Sequence, residues 1–325
     1  MGAVRESFEW HNSMDCANDP FMRICSLLPS ATEIAFALGL GDEIVGVTHE
    51  CDYPPEAKKR RVVVRGAIDP DKHASGEIDR LVREHLQKKK SIYAIDLPRF
   101  QEANPDFILT QELCDVCALD YNEVVEAARS LERAPKIVAL SPSDLSEVLS
   151  DIEVVGEAAG RKRQAEALVT GLKQRIERVR ERGAGSDLRP RVACIEWLDP
   201  IYNAGHWVPE MVELAGGIDG LGEKGERSKK IEWERVRAFA PEVLVLLPCG
   251  FDVARSLKEA SLLSHHDGWN ELPAVKSGRV YAVNGSAYFN RSGPRLIDGL
   301  EILAQIIHPE IFPWQAPPEA ALRLA

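Results

Sequence analysis

The sequence contains no apolar run approaching the ~20 residues that a membrane-spanning helix needs. It also has no excess of basic residues, because 40 Lys and Arg stand against 51 Asp and Glu, a formal net charge of −11. A nucleic-acid-binding protein needs a basic face, so this balance argues against such a partner. The composition therefore predicts a globular protein without membrane insertion and without nucleic-acid binding.

The N-terminus lacks the features of an export signal. Residues 1–21 are polar and lean acidic, whereas a secretory signal needs a basic start, an apolar stretch of roughly 7–15 residues and a small-residue cleavage site. The seven cysteines are odd in number and scattered, which is typical of free thiols in a reducing compartment. We therefore expect a cytoplasmic protein, or a periplasmic one if the natural chain begins further upstream.

Motifs of nucleotide-binding and hydrolytic enzymes are missing as well. Gly39-Leu40-Gly41 lacks the further glycine spacing of a phosphate-binding loop and follows a predicted helix instead of a strand. No GxSxG nucleophile elbow is present. The expectation is a protein that is not an enzyme. A Cys–His nucleophilic pair stays open, because a sequence does not show which side chains are neighbours in space.

Strands and helices alternate through the first part of the chain. Ile24–Leu28 is a short apolar run, and Ser30 with Glu33 fits a capping box that opens a helix ending at Gly39. Further strands are predicted at residues 43–47, 107–109 and 137–140, and further helices at 77–86 and 121–131. This alternation predicts a parallel sheet covered by helices.

The alternation stops between residues 141 and 183. Ser141 and Pro142 mark a helix start, and Gly160 separates a short helix from a long one predicted over 161–182. At ~1.5 Å per residue the long helix spans roughly 30 Å, the width of a small domain, and it is predicted to be a rigid brace. The expected units are an N-terminal tail at 1–21, an N-terminal lobe at 22–140, the brace at 141–183, a C-terminal lobe at 184–310 and a C-terminal tail at 311–325.

Five short motifs follow one another in order: Leu28-Pro29-Ser30-Ala31-Thr32-Glu33-Ile34, Cys51-Asp52-Tyr53-Pro54-Pro55, Asn104-Pro105-Asp106-Phe107-Ile108-Leu109, Ala240-Pro241-Glu242-Val243-Leu244-Val245 and Gly293-Pro294-Arg295. Together they resemble the substrate-binding proteins of cobalamin and ferric-siderophore uptake systems, and most closely the cobalamin binders. The resemblance implies an α/β protein of the class III periplasmic-binding-protein fold, with two Rossmann-like lobes, parallel sheets and a long rigid α-helix between them. It also implies that cobalamin or a related corrinoid binds between the lobes, with little closure and no required cofactor.

Candidate ligand-binding residues lie on the loops that follow predicted strands. Ligands bind to α/β folds at the carboxyl ends of the strands. Flat aromatic faces suit a corrin ring, and Asn290 or Arg291 is able to hydrogen-bond its amide side chains. The candidates are His49, Glu50, Tyr53, Asp115, Trp197, His206, Trp207, Phe251, Tyr288, Phe289, Asn290 and Arg291.

The cysteines support an alternative function. Cys114 and Cys117 form a CxxC pair, and Cys51 and Cys249 lie on other loops that follow strands. Zinc sites use Cys and His with this spacing, and the same groups ligate iron or cobalt. The alternative is an enzyme or metal-handling protein with a Cys/His site for Zn or Fe in the same cleft. The competing interpretation is that these thiols only fill space.

The resemblance also implies a partner. In the transport family, one glutamate on the outer surface of each lobe docks against arginines of a membrane permease. Local alignment places these glutamates at Glu77 and Glu234, which points to an ABC permease. Solvated helix acids without a partner have the same sequence pattern.

Overall fold

Two α/β lobes joined by a helical brace make up the fold, as the sequence predicts. The computed structural model describes residues 22–88, 91–111 and 119–324. Within these ranges, no helix combines the length and the hydrophobicity that crossing a bilayer requires.

The N-terminal lobe surrounds a mixed sheet. Its strands are β1 (Ile24–Ser26), β2 (Ile44–Thr48), β3 (Val62–Gly66), β4 (Tyr93–Ile95), β5 (Phe107–Thr110) and β6 (Lys136–Ala139). Its helices are α1 (Pro29–Ala37), α2 (Ser75–Gln87), α3 (Leu97–Ala103) and α4 (Tyr121–Arg129). The strand order is β4-β3-β2-β1-β5-β6, and β4 is antiparallel to β3. The central strands β1 and β5 are buried along their whole length, as apolar strands covered on both faces are.

The brace consists of α5 (Leu145–Ala158) and α6 (Lys162–Ala184). Gly160 separates them with a φ of 68°, a conformation that glycine adopts at little cost. The predicted start at Ser141 and Pro142 is wrong: Asp144 accepts a hydrogen bond from the Glu147 amide and caps a helix that begins at Leu145. The 23 residues of α6 span about 34 Å at the usual rise per residue.

The C-terminal lobe has a second mixed sheet. Its strands are β7 (Arg191–Leu198), β8 (Ile201–Asn203), β9 (Ile218–Asp219), β10 (Val243–Leu246), β11 (Val280–Val283) and β12 (Ala321–Arg323). Its helices are α7 (Val208–Leu214), α8 (Trp233–Phe239), α9 (Val253–Glu259), α10 (Ser261–Ser264), α11 (Pro273–Lys276), α12 (Gly285–Tyr288) and α13 (Leu296–Ile307). The order is β12-β11-β10-β7-β8, with β9 paired to β7.

The expectation of parallel sheets is wrong at the sheet edges. Strands β4, β8 and β12 each run antiparallel to their neighbour. Strand β12 comes from residues expected to be a tail, and it pairs with β11. Three-residue edge strands carry too little alternation to be predicted from sequence.

One hydrophobic core extends from the N-terminal lobe through the brace into the C-terminal lobe. It includes Ile34 of α1, Val148 of α5, Val169 of α6 and Leu303 of α13, all at most 2% exposed. Arg175 of α6 adds ion pairs to Asp298 and Glu301 of α13 at 2.5 and 2.7 Å. Because the brace shares its core with both lobes, it is a rigid connection.

Candidate functional site

The two lobes face each other through the loops at the carboxyl ends of their parallel strands. In the ranges that the structure describes, polar side chains join the lobes in two groups. The brace-side contact comprises Glu33, Asp52, Arg291 and Arg295, and lies beside α1, which contacts α5 of the brace. The outer contact comprises His73, Ser75, Trp197, Arg255 and Glu259. The loop after β2 contributes Asp52 to the brace-side contact.

Glu33 is the centre of the brace-side contact. Its side chain is 2% exposed. Oε1 accepts a hydrogen bond from Arg295 Nη2 at 2.6 Å, and Oε2 accepts one from Arg295 Nε at 3.0 Å. Arg291 Nη1 lies 3.4 Å from Oε1. The predicted capping box is therefore wrong: Leu28 is the N-cap without a side-chain hydrogen bond, and Glu33 reaches the other lobe instead.

Arg291 connects the lobes with several further hydrogen bonds. Its guanidinium donates to Asp52 Oδ1, to the Glu50 backbone oxygen at 3.2 Å and to Ser286 Oγ at 3.2 Å. Burial alone would raise the pKa of Asp52, but the hydrogen bond and charge of Arg291 outweigh it and hold the pKa below its ordinary value. Arg291 and Asp52 thus form a charged pair between the two lobes.

Tyrosine rings from both lobes flank Arg295. Its guanidinium carbon lies 3.9 Å from the ring centroid of Tyr53 and 5.8 Å from that of Tyr288. Tyr53 is 43% exposed and Tyr288 is half-buried. The structure therefore brings together three predicted ligand residues, Tyr53, Tyr288 and Arg291, around the arginine–glutamate pair.

In the outer contact, side chains of the C-terminal lobe form hydrogen bonds with backbone atoms of the N-terminal lobe. The Ser75 amide donates to Glu259 Oε2 at 3.0 Å, and Trp197 Nε1 donates to the Ser75 oxygen at 3.3 Å. Arg255 Nη2 donates to the His73 oxygen at 2.6 Å and pairs with Glu259 at 2.5 Å. The first turn of α2 is thereby attached to α9 and to the end of β7.

Several predicted ligand residues are buried beneath the loops that carry them. Phe251 is 2% exposed, and its ring centroid lies 5.3 Å from that of Trp197. Trp207 and Phe289 are 8% and 1% exposed, and Trp207 Nε1 donates to the Phe289 oxygen at 2.8 Å. The interpretation of Trp207, Phe251 and Phe289 as ligand contacts disagrees with this burial. They are core residues that hold the loops, and aromatics after strands serve that role as readily as ligand contact.

The remaining predicted residues are accessible to different degrees. His49 is exposed, and the Tyr93 hydroxyl donates to Glu50 Oε1 at 3.1 Å. His206 is half-buried with a φ of 53°, and burial lowers its pKa, which favours the neutral imidazole. Asn290 donates through Nδ2 to the Leu247 oxygen at 3.4 Å. Asp115 lies outside the described residues.

Comparison with known proteins decides the family. The sequence profile of the periplasmic binding protein family matches residues 24–287. The chain belongs to this family. An uncharacterized ABC transporter substrate-binding lipoprotein of Bacillus subtilis is 31% identical over 298 residues, covering 89% of this chain and 81% of the relative.

Two further proteins are similar to this chain. A vitamin B12-binding protein of Vibrio cholerae is 24% identical over 286 residues, 87% of each chain. The crystal structure of a periplasmic heme-binding protein from Pseudomonas aeruginosa superposes with a TM-score of 0.71 at 19% identity, covering 94% of this chain and 99% of that one. Members of the family are substrate-binding proteins and not enzymes.

The cysteines do not form a metal site in the described ranges. Cys51 is 3% exposed; Thr32 Oγ1 donates to its sulfur at 3.0 Å, and Thr48 Oγ1 lies 3.3 Å away. Burial raises the pKa of this thiol, so the thiolate that a metal needs is disfavoured. Cys249 is half-buried. Cys114 and Cys117 lie outside the described residues. Between residues 22 and 324, apart from 89–90 and 112–118, no three His, Cys, Asp or Glu side chains are arranged to hold a metal ion.

The two predicted docking glutamates are both exposed, one on each lobe. Glu77 lies in the first turn of α2, and its carboxylate accepts a hydrogen bond from His73 Nδ1 at 3.0 Å. That hydrogen bond leads the effects that lower the pKa of Glu77. Glu234 lies in the first turn of α8. Their exposure agrees with a surface role, and the docking partner stays a prediction.

Sequence reasoning missed the residues that join the lobes. Glu33, Asp52, Arg255, Glu259 and Arg295 were not among the predicted site residues. Glu33 and Arg295 stand in two of the motifs, but 262 positions separate them, and no local signal marks them as partners.

Proposed function

We propose that this periplasmic binding protein binds a corrinoid, cobalamin or a close analogue, in the cleft between its lobes. The Vibrio cholerae relative that is 24% identical is a vitamin B12-binding protein. The motifs at residues 28–34, 51–55 and 293–295 resemble the same group of proteins. In this chain, the first and last of them supply Glu33 and Arg295, and the second supplies Asp52 and Tyr53.

The position of Arg291 carries the proposal. Its side chain is 12% exposed, lies between the lobes and contacts carboxylates of the opposite lobe. A guanidinium offers five donors in a planar fork. The amide oxygens around a corrin ring are acceptors that suit these donors, and Asp52 is sufficiently exposed, at 48% of its side chain, for a ligand amide to take its place.

Tyr53 and Tyr288 supply the apolar part of the site. They come from opposite lobes and both approach Arg295. Rings held in this way offer flat faces to a macrocycle with little loss of side-chain entropy. Because Glu33 fixes Arg295 with two hydrogen bonds, the rings have a defined separation before ligand arrives.

The experiment is an absorbance titration with hydroxocobalamin. The wild type is expected to bind one equivalent, and Arg291→Gln is expected to weaken binding by about tenfold, since one charge-assisted hydrogen bond contributes about 1.4 kcal/mol or more. The matched control is Arg129→Gln, at an exposed ion pair with Glu126. Equal affinities in the wild type and Arg291→Gln, or stoichiometric hemin binding without corrinoid binding, would contradict the proposal.

The proposed partner is an ABC permease that contacts Glu77 and Glu234. Both carboxylates are exposed on the first turns of helices in different lobes. Glu77→Arg with Glu234→Arg is expected to abolish corrinoid uptake by cells while the purified variant still binds hydroxocobalamin. Unchanged uptake would exclude these residues from docking. This docking role requires export, whereas a cytoplasmic location is expected from residues 1–21. Cell fractionation decides between the two, and a protein found only in the cytoplasm would exclude docking in uptake.

A further inference from the structure

We propose that α2 is a lid over the side of the cleft that faces away from the brace, and that its release from the C-terminal lobe admits the ligand. The inference rests on the proposed function only in assuming that a ligand occupies the cleft. The lid itself can be measured without any ligand.

The topology places α2 on the outer side. It connects β3 to β4, at the opposite sheet edge from β6, after which the brace begins. The brace holds the lobes together on the β6 side. On the other side, α2 crosses from the N-terminal lobe to β7 and α9 of the C-terminal lobe.

Gly76 lets α2 lie directly on the other lobe. A Cβ atom at this position would be 2.4 Å from Asp199 Oδ2, in the turn that follows β7. Glycine is a poor helix former, and in the first turn of α2 it provides this close approach. The packing is therefore specific and not a loose contact of two surfaces.

The charges at the outer contact allow α2 to bind to and separate from the C-terminal lobe. Glu259 is 6% exposed, and its carboxylate lies at the N-terminus of α2, where unpaired amides and the helix dipole attract a negative charge. When α2 leaves, Glu259 keeps its ion pair with Arg255 on the same helix. The Ser75 amide, the Ser75 oxygen and the His73 oxygen then bond to water instead. No buried charge is left without a partner.

The brace-side contact behaves differently. Parting Arg295 from Glu33 would leave a carboxylate that is 2% exposed without its bidentate partner. Opening at the outer contact is therefore easier than opening at the brace side, and the Glu33–Arg295 pair is the pivot.

A disulfide across the outer contact tests the lid. A Cβ atom at position 76 would lie 3.9 Å from the Asp199 Cβ, within the roughly 3.5–4.5 Å that disulfides span. In Gly76→Cys/Asp199→Cys, oxidised glutathione takes two electrons and two protons from the thiols as the S–S bond forms. The controls are the two single variants, Gly76→Cys and Asp199→Cys, treated in the same way.

In the absence of ligand, the disulfide is expected to form rapidly. The oxidised double variant is then expected to associate with hydroxocobalamin at least about tenfold more slowly than the reduced double variant, because a closed lid limits ligand entry. Dithiothreitol restores the rate. Association at the same rate in the oxidised and reduced double variant would overturn the lid, and so would failure of the disulfide to form.

Hydrogen exchange separates this inference from the proposed function. In the ligand-free protein, Glu259→Gln is expected to speed exchange of the amides in the first turn of α2, whereas Glu232→Gln, at an exposed residue of the same lobe, is not. Unchanged exchange in Glu259→Gln overturns the lid. A wild type that binds no corrinoid overturns the proposed function alone, because the exchange result still decides the lid.

Discussion

Glu33 of the N-terminal lobe and Arg295 of the C-terminal lobe form a bidentate ion pair, with N–O distances of 2.6 and 3.0 Å. Their side chains are 2% and 14% exposed. A buried carboxylate is stable only when it is paired, so this pair fixes the relative position of the lobes. It also sets the position of Arg291, which shares Glu33 Oε1.

The first prediction concerns this ion pair. Glu33→Gln is expected to lower the free energy of unfolding by about 3 kcal/mol, because the guanidinium of Arg295 loses its paired carboxylate while Arg291 keeps only Asp52. Urea denaturation followed by circular dichroism measures the change. The control is Glu102→Gln, which removes the exposed pair with Arg61 and is expected to change the free energy by at most about 1 kcal/mol. Equal losses in both variants would show that Glu33 is not a lobe anchor.

A second prediction concerns pH. The pKa of Asp52 is lower in the folded protein than its ordinary value, so Asp52 contributes stability above the unfolded-state pKa, and this stability is lost as the pH falls through the folded-state pKa. Between pH 5 and about pH 3, the melting temperature of the wild type is expected to approach that of Asp52→Asn. A difference between the two proteins that is constant across this range would contradict the ionic role of Asp52.

Thiol labelling provides a third prediction. Burial raises the pKa of Cys25 to about 12 and also raises the pKa of Cys51, and alkylation needs the thiolate. With iodoacetamide at pH 8, the half-buried Cys249 is expected to be modified before Cys25 and Cys51, which are expected to react only after unfolding. Peptide mapping by mass spectrometry measures the order. Early modification of Cys51 would revive its role as a metal ligand.

The brace supplies a fourth prediction, from two glycines in its helices. A Cβ at Gly156 of α5 would lie 2.4 Å from the Ala165 Cβ of α6, whereas nothing lies within 4 Å of a Cβ at Gly171. Gly156→Ala is therefore expected to destabilise the protein. Gly171→Ala is expected to stabilise it by about 0.5–1 kcal/mol through helix propensity. Thermal unfolding compares the two, and a Gly156→Ala variant as stable as the wild type or more stable would contradict the close packing of α5 on α6.

The sequence predicted the regular elements where their patterns are long or flanked by clear signals. The strand predicted at residues 107–109 is observed at Phe107–Thr110, and the long brace helix begins within one residue of its predicted start. The capping box failed because Pro29 already opens α1, which left Glu33 free for the other lobe.

The site was predicted less completely than the fold. The rule that ligands bind after strands selected Tyr53, Tyr288 and Arg291, which the structure brings together. The same rule selected Trp207 and Phe289, which are buried core residues, because an aromatic ring after a strand closes the core as often as it faces the cleft. Pairs such as Ser75 and Glu259, separated by 184 positions, depend on how two lobes meet, and local patterns carry no information about that.

The central claim is that a corrinoid occupies the cleft between the lobes. Isothermal titration calorimetry of the wild-type protein with hydroxocobalamin, with hemin in a parallel titration, tests it most directly. One hydroxocobalamin is expected to bind per chain with a Kd of about 1 μM or tighter, equivalent to about −8 kcal/mol, and hemin is expected to bind more weakly. Saturable binding of hemin with no heat from hydroxocobalamin would contradict it.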